Sequence, residues 1–330
     1  MAGSTKWMWV SVVAASMFGM RCTSESGTNA SAQGTDEVAS ARPPLDEEGR
    51  AASERYAVVV APGEGVLETR VYDGLGSQHA SYAGLEVPGV AGMWRWEEGT
   101  RKVTQADCAC VSEQMIEGAE PSDPEACHEE REVMTGRFVN ATTGEEWAPE
   151  ELSMGEDERW WDVRMTPVGA VGSVGLITVC VDSYFCGAAH PGVECEQLAV
   201  DFGAATPARI EVSALSERLD AESFEGLKLG ANEDVEVEAG DATLVALIPG
   251  WDVEEGRLVA EQQYAFGACY ACSDGEWSSY TVSTFVDERP LKVEQSGERP
   301  PRGLRDLLSA SGWEIRAVSR VPEVAVATPD

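Results

Sequence analysis

The sequence predicts an α+β protein in which strands dominate, arranged as antiparallel sheets with a few short helices and held by disulfide staples. Two-residue apolar periods recur from Tyr56 onward, Gly- and Pro-rich turns separate them, and eight cysteines follow Cys22. YAVVVA, Tyr56 to Ala61, is rich in β-branched residues and stops at the Pro62-Gly63 turn. In GVLETRVY, Leu67, Thr69 and Val71 alternate with Glu68 and Arg70, the pattern of a half-buried strand. AGMWRWEEGTRKV reads as a hairpin-like segment with Trp94 and Trp96 on one face.

Further along, GLITVCVDSYF places Ile177, Val179 and Val181 on one face, and QLAVDFG does the same with Leu198, Val200 and Phe202. DATLVALIPG is a continuous apolar run closed by Pro249-Gly250, as expected of a strand buried on both faces. SYTVSTFV and EIRAVSRV follow the same strand grammar. Helical signals are sparse. Ser213 to Leu219 fits a short turn of helix, and RGLRDLLSASG sets Leu304, Leu307 and Leu308 at helical spacing with Gly312 as a stop.

The chain opens with one cationic residue, Lys6, followed by an uncharged apolar run from Trp7 to Met20, the pattern of a secretory signal. The run is shorter than the roughly 20 residues that span a bilayer. Cys22 follows directly, and then a small, polar stretch with the composition of a flexible tether. This start resembles a bacterial lipoprotein with Cys22 as the lipidated residue, although Arg21 stands where such chains carry Gly, Ala or Ser. The expected organisation is a signal peptide at 1–21, a tether at 22–50, a mostly β unit at 51–152 and an α+β domain at 153–330. The expected localisation is the cell envelope, periplasmic or outer-membrane, held by a lipid anchor only, or the secreted fraction.

Export gives the cysteines an oxidising setting. Cys108, Cys110, Cys127, Cys180, Cys186, Cys195, Cys269 and Cys272 are the disulfide candidates, and eight cysteines leave the connectivity open. Cys180, Cys186 and Cys195 are all expected to be oxidised, at least one of them to a partner outside their own stretch. Zinc is disfavoured, because the close spacings are C-x-C, C-x(5)-C and C-x(2)-C and the only histidines are His79, His128 and His190. The CYAC pair, Cys269 to Cys272, runs into Ser-Asp-Gly rather than a helix, so no dipole lowers its thiol pKa for redox chemistry. No G-x-S-x-G elbow, H-E-x-x-H pair or phosphate-cradling loop appears. No catalytic residue, cofactor or metal site is therefore expected.

The 24 basic and 58 acidic residues give a formal charge of −34, which repels nucleic acid and anionic lipid and attracts cationic partners. The acidic runs Glu145 to Glu158 and Glu233 to Asp241 read as solvated surface. In GAAHP, Gly187 permits a sharp turn and Pro191 biases His190 toward extended backbone. These three residues are expected to shape a structural loop, with the imidazole bonding across it.

The order of features from that loop onward, GAAHP, LAVDFG, IEVSAL and SERL, resembles the C-terminal domain of RsiV-type proteins, with Ala188 where the family motif carries a second Gly. DATLVALIPG, EWSSYTVSTFV and RGLRDLL occupy comparable places over about residues 157 to 320. The resemblance implies an extracytoplasmic, non-catalytic domain, and a ligand such as lysozyme, a cationic protein. The function expected from the sequence is thus an exported envelope lipoprotein that binds a cationic protein or a cell-wall component. The alternatives are an exported cell-wall hydrolase and a structural envelope protein.

Overall fold

The computed structural model describes residues 52–63, 65–106, 128–149, 160–184, 191–216, 242–292 and 299–322. Among the described residues fifteen strands form four antiparallel sheets, mostly by pairing with their neighbours in sequence. The first sheet takes β1 (Arg55–Gly63), β2 (Val66–Asp73) and β3 (Gln78–Ala83). The second takes β4 (Glu86–Gly89), β5 (Gly92–Ala106), β6 (His128–Asn140) and β7 (Glu146–Trp147). The third comprises β8 (Trp160–Val171), β9 (Val174–Tyr184), β10 (Gly192–Asp201) and β11 (Ala208–Ile210). The fourth comprises β12 (Thr243–Asp252), β13 (Arg257–Gly267) and β14 (Thr281–Pro290).

The last strand, β15 (Ile315–Val321), returns to the first sheet and pairs with β1 from Arg55↔Val321 to Val60↔Ile315. This closes the four sheets into a propeller-like ring. The leading strands of the second, third and fourth sheets, β4, β8 and β12, lie toward the centre, where each contacts β15. Pro88, Pro167 and Pro249 all sit on such leading strands, each at the edge of its sheet, where a missing N–H costs no ladder bond. At Gly169 of β8 a Cβ would come within 2.7 Å of the Arg316 carbonyl oxygen, so the close approach of β8 to β15 requires glycine.

The expectation of an α+β protein is corrected by this arrangement. Among the described residues the only α-helix is α1, Arg302–Ser311, and the other helical elements are the short 3-10 turns Val212–Ala214 and Tyr270–Cys272. The physical reason is that the sheets cover one another, leaving little apolar sheet face for helices to shield. Successive residues of β9 point to opposite sides. Ile177, Val179 and Val181 join one apolar cluster with Trp94, Trp96 and Phe138 of the second sheet. Leu176 joins the other cluster, with Tyr56, Val58, Leu247 and the α1 residues Leu304 and Leu308.

Local readings fared better than the class. RGLRDLLSASG forms α1, ending at Gly312 with φ of 66°, in the left-handed region that glycine tolerates. AGMWRWEEGTRKV is part of one long strand, β5, rather than a hairpin, although Trp94 and Trp96 do share a buried face. β12 continues through Pro249-Gly250 to Asp252 instead of stopping there. The expected boundary near residue 152 falls in 150–159, outside the described residues, and the sheets on either side belong to one compact unit, 43–330.

Candidate functional site

β10 leaves an unpaired edge, because β11 covers only Ala199 to Asp201. The segment Trp277 to Ser279, from the connection between β13 and β14, fills that edge. The Cys195 N–H donates to the Trp277 carbonyl at 2.9 Å, and the Ser279 N–H donates to the Val193 carbonyl at 2.9 Å. Val193 N–H donates in turn to Ser279 Oγ at 2.7 Å. The connection is braced internally by Ser273 Oγ, which lies 2.8 Å from the carbonyl oxygens of both Ser278 and Thr281.

Disulfides brace the two elements that meet here, and one side chain bridges from the third sheet to the fourth. Cys180 and Cys195 are direct cross-strand partners in β9 and β10 and are joined by a disulfide. Cys269, at the base of the connection, is disulfide-bonded as well. Gln197, two residues beyond Cys195 and 5% exposed, reaches the bare edge of β12. Its amide donates to the Leu247 carbonyl at 3.0 Å and accepts from the Leu247 N–H at 2.8 Å. One side chain thereby supplies the pair of bonds that a neighbouring strand would otherwise provide.

Beside these bonds the sheets part to leave a cleft of about 600 Å³. Thr166 and Pro167 of β8 and Thr178 of β9 line one side, Gln263 of β13 another, and Trp277 of the braced connection a third. Gln263 is 7% exposed, and its side chain has no hydrogen-bond partner among the described residues. Arg316 also borders the cleft and forms an ion pair with Glu314. A smaller cavity of about 310 Å³ adjoins, sharing Ile248, Glu314 and Arg316 with the first. Trp251 lines it, and the buried indole N–H of Trp251 lacks an acceptor among the described residues. Orphaned buried donors are uncommon in folded proteins and call for a physical account.

A different cleft, about 460 Å³, opens between the second and third sheets, with Met134, Trp147, Met165 and Leu198 among its apolar lining. Its Arg209 is already paired with Glu196. Its lining is largely apolar.

Of the residues singled out in the sequence, Cys180 and Cys195 meet as described. The carbonyl of Pro191 accepts from the Tyr270 hydroxyl at 3.3 Å, tying the end of the GAAHP loop to the braced connection. Cys22, Cys108, Cys110, Cys127, Cys186, Gly187 and His190 lie outside the described residues. For Cys272 the backbone is described, as the end of the 3-10 turn Tyr270–Cys272. His79 contacts the Asp73 carboxylate at 3.1 Å, away from the cleft. Among the described residues no group of three or more His, Cys, Asp or Glu side chains is placed to hold a metal ion.

Sequence reading missed Gln197, Gln263, Trp277 and Arg316. A usable signal was present for one of them: Glu261-Gln262-Gln263 interrupts the otherwise apolar run of β13, LVAEQQYAF. Comparison with protein-family models, with curated proteins and with solved structures finds no match, so the resemblance to RsiV-type domains gains no support there and no family is assigned.

Proposed function

We propose that this chain is an exported binding module of the cell envelope, anchored through Cys22 and non-catalytic, whose ligand seats in the cleft between the third and fourth sheets. The carrying observation is that one cleft is lined both by the Gln263 amide, which has no hydrogen-bond partner among the described residues, and by the indole of Trp277. Binding sites of this kind combine apolar walls with a few convergent polar groups. The Cys180–Cys195 disulfide points to an oxidising, extracytoplasmic compartment. Among the described residues no helix is long and apolar enough to cross a membrane.

A second reading, capture of a cationic protein such as lysozyme, is favoured by the charge of −34. The two readings separate in one experiment. The mature chain is co-sedimented with purified peptidoglycan and titrated with c-type lysozyme, both at physiological salt. Pelleting that is lost in Trp277→Ala supports the cleft. Equal pelleting of parent and variant, or release of soluble glycan fragments, overturns the proposal. Saturable lysozyme binding that survives in the variant favours the second reading, because contacts resting on net charge alone fade with salt.

A further inference from the structure

We infer that the cleft recognises a neutral, N-acetylated amino sugar within an oligosaccharide. The inference rests on the cleft being the binding site and adds the class of its ligand.

Charge is the first discriminator. Arg316 and Glu314 neutralise each other at the cleft, and the molecule as a whole carries −34. An anion would meet a repulsive field with no free cation among the described residues that line the cleft, and a cation would find Glu314 already paired with Arg316 and Glu261 of the smaller cavity likewise engaged. A neutral ligand incurs neither penalty.

Hydrogen-bonding capacity is the second. The primary amide of Gln263 offers both N–H donors and a carbonyl acceptor. An acetamido group presents the complementary pair, an acceptor oxygen and one N–H donor. Because Gln263 has no partner among the described residues, that bond forms without breaking one inside the protein. Thr166 and Thr178 add hydroxyls that suit sugar hydroxyls, while Pro167, Leu67 and Ile248 provide an apolar lining for the acetyl methyl.

The aromatic groups and the cavity shape are the third. Trp277 lines the larger cavity and Trp251 the smaller, so each offers an indole to the C–H face of a pyranose ring. Adjoining cavities of about 600 and 310 Å³ that share Ile248, Glu314 and Arg316 suit consecutive sugar units better than a single one. The indole of Trp277 is held in place because its own backbone is bonded to β10 and the disulfide at Cys195 braces that strand. Such a rigid wall loses little freedom on binding.

The test is calorimetric titration of the full mature chain with the N-acetylglucosamine trisaccharide, the deacetylated glucosamine trisaccharide, cellotriose and a peptidoglycan stem tetrapeptide. Gln263→Met, Trp277→Ala and Thr178→Val are compared with Arg209→Ala in the other cleft, each first shown by thermal unfolding to be folded. Support is saturable binding of the acetylated trisaccharide at least tenfold tighter than cellotriose, weakened at least tenfold by Gln263→Met or Trp277→Ala and unchanged by Arg209→Ala. Should Gln263→Met fail to fold, Thr178→Val at the opposite wall carries the same comparison. Equal binding of cellotriose or of the deacetylated sugar overturns the acetamido assignment. Binding of the tetrapeptide alone, sensitive to the same variants, overturns the sugar class while leaving the cleft as the site. No binding of any probe, together with peptidoglycan pelleting indifferent to Trp277→Ala, overturns both.

Discussion

The third sheet meets its two neighbours in different ways. Toward the second sheet the seam is aromatic: Trp94 stacks on Phe202 at 4.8 Å between centroids, and Phe138 meets Phe202 and Trp96 edge-on at 4.8 and 5.1 Å. Toward the fourth sheet, apolar contact through Leu176 and Leu247 is supplemented, beside the cleft, by bonds from the Gln197 amide and from the backbone of Trp277 and Ser279. Apolar side chains fill space without direction, so the first seam leaves Phe138 fully buried. Hydrogen bonds fix distance and direction at a few points and leave the intervening space open. Both seams keep a cleft, about 460 Å³ at the first and about 600 Å³ at the second, and the second has a wall fixed by directional hydrogen bonds.

The largest expected effect lies in the aromatic seam. Phe138→Ala should lower stability by about 3–5 kcal/mol in urea unfolding, without altering ligand binding in whatever fraction remains folded. A loss below 1 kcal/mol would show that the seam relaxes and that the contrast is overstated. Next is the staple: replacing Cys180 and Cys195 together by serine opens a crosslink with a sequence separation of 15, which should cost about 3 kcal/mol. The same change should accelerate amide exchange at position 195 and at Ser279, whose N–H groups hold the braced connection to β10. If exchange there stays at the parental rate, the disulfide does not govern the cleft wall.

Gln197→Leu comes third. It strips both partners from Leu247 and should cost about 1–3 kcal/mol, the penalty of unsatisfied buried backbone groups. A neutral outcome would mean that water replaces the amide and that the polar seam is softer than drawn.

The smallest effects are electrostatic and lie in the first two sheets. Burial raises the Glu86 carboxyl above its ordinary value of 4.5, with Arg95 opposing in part. Its stabilising contribution is complete below that ordinary value and is lost as pH rises through the raised one. Glu86→Gln should thus gain on the parent in melting temperature toward neutral pH and converge with it in acid. For Asp73, burial pushes upward, but donation from the Ser77 N–H, the His79 ring and the Leu75 N–H outweighs it and holds the carboxyl below 3.8. Asp73→Asn should show the reverse trend, a deficit at neutral pH that fades as pH falls below 3.8 through the lowered value. Parallel pH profiles for both variants would contradict these assignments.

Much of the local structure was legible because a strand writes its period into adjacent residues: Ile177, Val179 and Val181 share a buried face as their alternation predicts. The fold class was not, because the same alternation serves a sheet covered by helices and a sheet covered by another sheet. The pairing of β15 with β1 joins the two ends of the ring and leaves no local mark. Nor do the prolines of VPG, TPVG and IPG declare themselves as edge residues until Pro88, Pro167 and Pro249 are seen on the leading strands of three sheets.

The sequence by itself determined the strand periods, the acidic charge and the supply of cysteines, since each of these is set by residue type and near-neighbour order. Only the tertiary structure decided that the strands close into a ring and that Thr166, Gln263, Trp277 and Arg316 meet around one cleft. Those residues come from different strands and from the braced connection, and strand pairing and sheet stacking bring them together rather than any spacing along the chain.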